Sequence, residues 1–204
     1  MTLSEYLREG TADVHREAEN SPFVSRFMNG GLDRDTYSRH LLALHGIYGT
    51  LEAALESFRD DARLAAFHLP AVWRRAALEA DLEYLRGPRW HDEAPVPSAR
   101  TYAEHLRALT TDRPLRLVSH AYVRYMGDLS GGQVLKRLAE RKLGLSGDGV
   151  RFYEFPQIGN VAAFKADFRR RLDELPLVDG ERKALLNEAR NAFHLNAVLF
   201  AELG

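Results

Sequence analysis

The chain has 204 residues, 45% of them apolar and 28% charged, with a formal net charge of −1 and no cysteine. That length buries one substantial core without forcing a second domain, and the composition is that of a soluble globular protein with no bulk attraction to nucleic acid or membranes. The missing cysteines exclude disulfides, iron–sulfur clusters, thiolate metal ligands and cysteine nucleophiles. The N-terminus carries Glu5, Arg8 and Glu9 where a signal peptide would have an apolar core. No run approaches ~18 uninterrupted apolar residues, so a cytoplasmic location without a membrane anchor is expected.

Thr2-Leu-Ser-Glu5 reads as a capping box opening a helix whose apolar positions Leu3, Leu7, Val14 and Ala18 keep roughly one face as far as Asn20. His15 lies on the edge of that face, with Glu19 one turn on, where a carboxylate can orient the imidazole. A hydrogen-bonded core histidine is the alternative reading. Pro22 starts a short helix carrying Phe23 and Phe27 and closed by Gly30-Gly31. After Asp33 as cap, Tyr37, Leu41, Leu44, Tyr48, Leu51, Leu55 and Phe58 step by four and three, the pattern of a bundle helix.

A further amphipathic helix is predicted from Pro70 to Leu85, and His91 to Pro97 is a connection. Ser98 is the expected cap of a helix carrying Tyr102, Leu106 and Leu109. Pro114 to Leu143 reads as a single element, Leu145 to Gly149 as a turn, and Arg151-Phe-Tyr-Glu-Phe-Pro156 as the one place for a strand. Asn160 caps a helix through Leu175, and Asp179 caps the last, with Leu185, Ala189, Phe193, Ala197 and Phe200 on its face.

The long element from Pro114 contains Tyr122-Val-Arg-Tyr-Met-Gly-Asp-Leu-Ser-Gly-Gly-Gln-Val134. Gly127, Gly131 and Gly132 each cost roughly 1 kcal/mol against alanine in a helix interior, so a local need must offset them. Close approach of the backbone to something flat or bulky is one such need, and tight packing of a neighbouring helix is the other. Asp128 and Ser130 sit among these glycines. Gln133 stands where a phosphate-binding loop needs lysine, and no strand precedes the glycines as a dinucleotide fold requires. None of the eight histidines has Glu three residues before it, and H-E-x-x-H is absent, which argues against di-iron and zinc-protease chemistry.

The run from Tyr125 to Lys136 resembles the distal-helix signature of the haem oxygenase family, and Thr11-Ala-Asp-Val-His-Arg-Glu-Ala-Glu-Asn20 is similar to the segment that carries that family's proximal haem ligand. Gly87-Pro-Arg-Trp90 and Asn191-Ala-Phe-His-Leu-Asn196 extend the resemblance over essentially the whole chain. It implies an all-α, single-domain helical bundle over residues 1–204, with haem b held between a proximal helix and a kinked, glycine-rich distal helix. His15 is then the iron ligand, supported by Glu19, and Asp128 the distal carboxylate that orders water beside bound oxygen. Tyr48, Tyr102, Arg124, Tyr125 and Asn196 match its supporting set, and Gly127 and Gly131 the backbone that presses on the oxygen. Gly132, Ser130 and Phe193 are expected against haem, and Arg8, Lys165, Arg169 and Tyr122 at its propionates. Ala12 departs from a position where a second N-terminal lysine often stands, which weakens one propionate contact.

The implied reaction opens haem to biliverdin, of the IX-alpha isomer by family inference, with carbon monoxide and ferrous iron, using dioxygen and electrons. A non-catalytic haem carrier or sensor on the same scaffold is the alternative. The implied partners are haem, dioxygen and an acidic redox donor such as ferredoxin, flavodoxin or an NAD(P)H-dependent reductase. The donor is expected to dock on Lys136, Arg137, Arg141, Lys142, Lys165 and Arg169 to Arg171; a solvated, counter-charged helix face is the other reading of these charges. A monomer is expected, and iron acquisition is one use of the reaction.

Overall fold

The computed structural model describes residues 1–204 as an all-helical bundle. Nine α-helices make up the fold: α1 Leu3–Gly10, α2 Ala12–Glu19, α3 Pro22–Met28, α4 Arg34–Ser57, α5 Arg75–Arg86, α6 Pro97–Asp112, α7 Leu117–Leu143, α8 Val161–Asp173 and α9 Glu181–Leu203. Short 3-10 turns punctuate the connections. No helix is long and apolar enough to cross a membrane.

Local chemistry accounts for most boundaries. Thr2 and Glu5 form the reciprocal capping box of α1, and Ser21, Asp33 and Asn160 each accept a backbone N–H in the first turn of α3, α4 and α8. At the far end of α7, Gly144 sits at φ 65°, the left-handed conformation that ends a helix most cheaply in glycine. α4 lies along α5 and α6, α7 lies along α9, and α9 also meets α1, α2, α3, α4 and α6. One contiguous apolar cluster runs through these contacts, from Leu3 and Leu7 to Leu199 and Leu203.

Several expectations are corrected. The first predicted helix is two helices, because α9 intrudes at Gly10–Thr11. A Cβ on Gly10 would come within 2.5 Å of Leu186 Cδ1, Arg190 Nη1 donates to the Gly10 carbonyl at 2.6 Å, and the Thr11 hydroxyl bonds back to Leu7 O at 2.7 Å.

The helix expected from Pro70 starts at Arg75, after a 3-10 turn at Pro70–Val72. Its first amides are capped from another helix: Glu52 of α4 accepts from Arg74 N and from Arg75 N, the latter at 3.2 Å. Ser98 does not cap α6; Val96 holds the cap position and Ser98 Oγ is buried without a partner. Asp179 does not cap α9; Gly180 does so at φ 83°, and the Glu181 carboxylate reaches back to Val178 N at 2.9 Å.

The expected strand at 151–156 is a 3-10 turn, Arg151–Tyr153. Its amides go to the buried Asp81 carboxylate, at 3.0 Å from Arg151 and 2.8 Å from Phe152. Arg74 takes the carbonyls of Phe152 and Glu154. With these groups satisfied by side chains, no strand partner is called for.

Candidate functional site

α7 stays helical through all three glycines, and two of them face open space. A Cβ at Gly127 or Gly131 would meet nothing within 4 Å. Both border a cleft of about 1450 Å³ whose opposite side is α2. Its wall on α7 is Tyr122, Val123, Met126, Gly127, Ser130, Gly131, Val134 and Leu135, one face at helical spacing. His15, Glu19 and Ala12 line the other side, and Phe193 of α9 closes it.

His15 is half exposed, its Nδ1 is 3.6 Å from Glu19 Oε2, and its ring meets Phe193 edge-on at 5.6 Å. Glu19 on Nδ1 leaves Nε2 free to bind a metal.

The third glycine is placed differently. Gly132 is buried and does not line the cleft, and a Cβ there would lie 3.3 Å from Tyr153 Cδ1. Its missing side chain admits that tyrosine. Ser130 lines the cleft, donates back to Met126 O at 2.6 Å and accepts from Lys165 Nζ of α8 at 2.7 Å. Tyr122, Arg8 and Arg169 line the same end of the cleft, and both guanidinium charges oppose the upward push that burial gives the Tyr122 hydroxyl. Two cations and a phenol there suit a pair of carboxylates.

Off the cleft, a polar chain is built into the bundle. Arg124 Nε donates to the Tyr48 hydroxyl at 3.0 Å, and that hydroxyl donates to the Asp128 carboxylate. Arg124 also donates to Asn196 Oδ1, while Asn196 Nδ2 donates to Ala192 O at 2.8 Å. Burial pushes Asp128 above the ordinary carboxylate range, against the pull of Arg124, the Tyr48 hydrogen bond and Arg74. Burial also opposes the charge on Arg124, but Tyr48 and Asp128 outweigh it and raise its pKa. The arrangement is a buried carboxyl of raised pKa held in place by a fixed cation.

Three of the five expected supporting residues, Tyr48, Arg124 and Asn196, are therefore joined with Asp128 in one chain. Tyr102 is not: its hydroxyl lies 2.9 Å from His120 Nδ1. Tyr125 packs its ring 6.0 Å from that of Tyr48, and its hydroxyl is buried without a partner. The cleft also uses Met28, Met126 and Phe200, which sequence reading left unassigned. Met126 had a signal, since it shares the i, i+4 row with Ser130 and i+1 with Gly127; Met28 and Phe200 had none beyond apolarity.

The cleft fits a planar iron macrocycle. One side offers an oriented imidazole, the other a helix whose backbone is bare at Gly127 and Gly131, and the open end offers cations for acidic substituents.

A protein-family profile described as Heme oxygenase matches residues 1–202. The chain is 40% identical over 205 residues to Heme oxygenase 1 of Homo sapiens, covering 98% of this chain and 71% of that protein. It is 35% identical over 204 residues to Heme oxygenase 1 of Synechocystis, covering 100% and 85%. The crystal structure of the Synechocystis heme oxygenase-1 in complex with heme superposes with a TM-score of 0.96 at 34% identity, covering 100% of this chain and 92% of that one. The heme oxygenase of Leptospira interrogans superposes with a TM-score of 0.95 at 40% identity, covering 99% and 100%.

Proposed function

Because the chain belongs to the haem oxygenase family, we infer a function in which haem b is both cofactor and substrate. The enzyme opens it with dioxygen and electrons to biliverdin, of the IX-alpha isomer, carbon monoxide and ferrous iron. The observation that carries this reading is the cleft with His15 on one side and Gly127 and Gly131 on the other, neither glycine filled by any neighbour. Residues 1–204 are read as one haem oxygenase domain.

Bound haem supplies the iron that activates dioxygen and the ring that is opened. The chain supplies the rest. His15 Nε2 would hold the iron, with the Glu19 carboxylate facing Nδ1 at 3.6 Å to orient the ring. Phe193 fixes the imidazole's edge. Arg8, Arg169 and Tyr122, with Lys165 reaching in beside Ser130, hold the propionates at the charged end. Gly127 and Gly131 bring backbone, and no side chain, against the reacting side. Asp128 Oδ2 receives the Tyr48 proton donor, and Arg124 holds both from behind. That leaves the other carboxyl oxygen to order water and pass a proton toward the cleft. A carrier or sensor would need His15 and the cations alone; the Arg124–Tyr48–Asp128 chain favours turnover.

Haemin added to the protein should give a histidine-ligated spectrum, and reductant in air should convert it to a bilin. Asp128→Ala should keep the first spectrum and lose bilin formation by about 10²–10⁴-fold, the ordinary range for a positioned acid–base group. Bilin formation at the parent rate would remove the proton-delivery role.

The electrons come from an acidic redox protein in the cytoplasm, docking on a monomer. Lys136 is counter-charged by Glu154 at 2.7 Å and Glu140 at 3.6 Å, and Arg170 and Arg171 pair with Asp167. Arg137, Arg141 and Lys142, together with Arg169 at the cleft, carry no ion pair, which supports docking there. Added salt should slow donor-driven turnover and leave ascorbate-driven turnover unchanged; equal salt sensitivity with both reductants would place docking elsewhere.

A further inference from the structure

A second convergence of ligating atoms lies outside the cleft, where α6, α7 and α9 meet. Glu188 Oε1 accepts from His105 Nε2 at 2.7 Å, from His120 Nε2 at 3.1 Å and from Asn191 Nδ2 at 3.0 Å. One atom from each of His105, His120 and Glu188 falls within 4.8 Å of the other two. The Asn191 amide is also 3.1 Å from His105 Nε2. His120 is fully buried and Glu188 nearly so, while the His105 side chain is 31% exposed, giving the group one side open to water.

The surroundings orient these groups toward a common point. His120 turns its second nitrogen, Nδ1, to the Tyr102 hydroxyl at 2.9 Å, the kind of outer partner that fixes a metal-ligating imidazole. Glu188 is fixed by three side chains, His120, Asn191 and His105, that all bond to it. Its other oxygen faces Arg116 Nη1 at 3.3 Å, which leaves Oε1 to the histidines and Asn191.

We propose that this group is a binding site for a divalent transition ion of the zinc class, with His105 Nε2, His120 Nε2 and Glu188 Oε1 as ligands. Two imidazoles and a carboxylate suit Zn²⁺ or Co²⁺ and disfavour Mg²⁺ and Ca²⁺, which take oxygen ligands. Water or the Asn191 amide oxygen completes a tetrahedron. The ion takes the place of the two Nε2 protons as each neutral imidazole shifts its proton to Nδ1, with no net proton released, and the Tyr102 hydroxyl then accepts from His120 Nδ1. Bonds of about 2.0–2.2 Å set tetrahedral ligand atoms roughly 3.3 Å apart, so His105 draws back from Glu188 by about half an ångström, which its exposed side permits. Arg116 lowers the affinity through its charge. The ion would tie α9 to residues 83 and 68 positions earlier in the chain, and so should raise the melting temperature as its free concentration climbs above the dissociation constant. None of this depends on the haem reading.

The test is a titration of the haem-free protein with Co²⁺, followed by its visible ligand-field bands. One equivalent should bind with the intense bands of a four- or five-coordinate site, and Zn²⁺ should displace it and raise the melting temperature. His105→Ala, made on the exposed side, should weaken Co²⁺ at least about tenfold and abolish the zinc-induced shift; Glu188→Gln should do the same if it folds, and His105→Ala decides alone if it does not. Unchanged affinity in His105→Ala, or equal melting shifts with Mg²⁺ and Zn²⁺, would overturn the proposal.

Discussion

The two walls of the cleft are held in opposite ways. α7 buries eleven of its residues, among them Leu117, Val118, Tyr125, Leu129 and Leu138, and its polar side is fastened through Arg124 and Asp128 to α4 and α9. α2 buries none. What holds α2 is an exposed clamp from α9, in which Arg190 Nη1 and Nη2 lie 2.6 and 2.8 Å from the two Asp13 carboxylate oxygens, together with edge contacts such as His15 on Phe193. The wall that carries Gly127 and Gly131 is thus prebuilt by the core, while the wall that carries the proposed iron ligand, His15, buries no residue of its own and on that reading gains apolar contact from the substrate. Precision is invested where the proton must go, and compliance is left where a large flat molecule must enter.

The largest expected effect breaks this contrast at its softer side. His15→Ala should abolish turnover with the fold intact, because the residue is half exposed and supports no core. Exogenous imidazole should partly restore the haem spectrum. Hydrogen exchange should show haem protecting α2 amides in the parent and not in the variant, while the α7 core is indifferent. Normal degradation by the variant would mean another ligand. Next, Gly131→Leu fills the open face of the rigid wall. Haem binding and activity should be lost, yet the haem-free protein should gain up to about 1 kcal/mol, since leucine is the better helix former and a Cβ there meets nothing. An active, haem-saturated variant would sink the close-approach argument.

The smallest effect probes the interior behind α7. Burial raises Glu52 to about 7 from 4.5, so the folded state holds a proton that the unfolded state has released between those values. Its stabilising contribution is present below pH 4.5 and is lost as pH rises toward 7, by about 3 kcal/mol in all. His40, pushed to about 3 by burial, acts in the opposite sense, costing stability as pH falls below 6.5. The parent's profile mixes these with Asp81, raised by burial to about 6, and with His45 and His120, lowered by burial. Melting of Glu52→Gln against the parent from pH 5 to 8 separates them: the difference should move in the variant's favour as pH rises, and a constant difference would mean that Glu52 does not titrate there.

Periodicity and caps carried much of this architecture in the sequence. The four-and-three stepping of α4 and the signals at Thr2, Asp33 and Asn160 are local, and local rules decided them. What the sequence concealed was decided by distant side chains. The break at Gly10–Thr11 belongs to Leu186 and Arg190, the 3-10 turn at Arg151 to Asp81 and Arg74, and the start of α5 to Glu52. The same division runs through the site. Gly127 and Gly131 could be read as needing space, but Gly132 looks identical in sequence and only Tyr153 reveals its different task. Tyr102 could be selected as functional, yet its partner, His120, was invisible without the crossing of α6 and α7.

α9 carries Arg190, Phe193 and Asn196 within two turns: the clamp on α2, the stop against His15 and the acceptor of Arg124. The relative placement of the two walls is therefore encoded as a phase along one helix. Each residue there could be exchanged with a graded loss, but a single inserted or deleted residue between 190 and 196 would rotate one set against the other by about 100°. Over that stretch the gene should tolerate changes of letter and refuse changes of length.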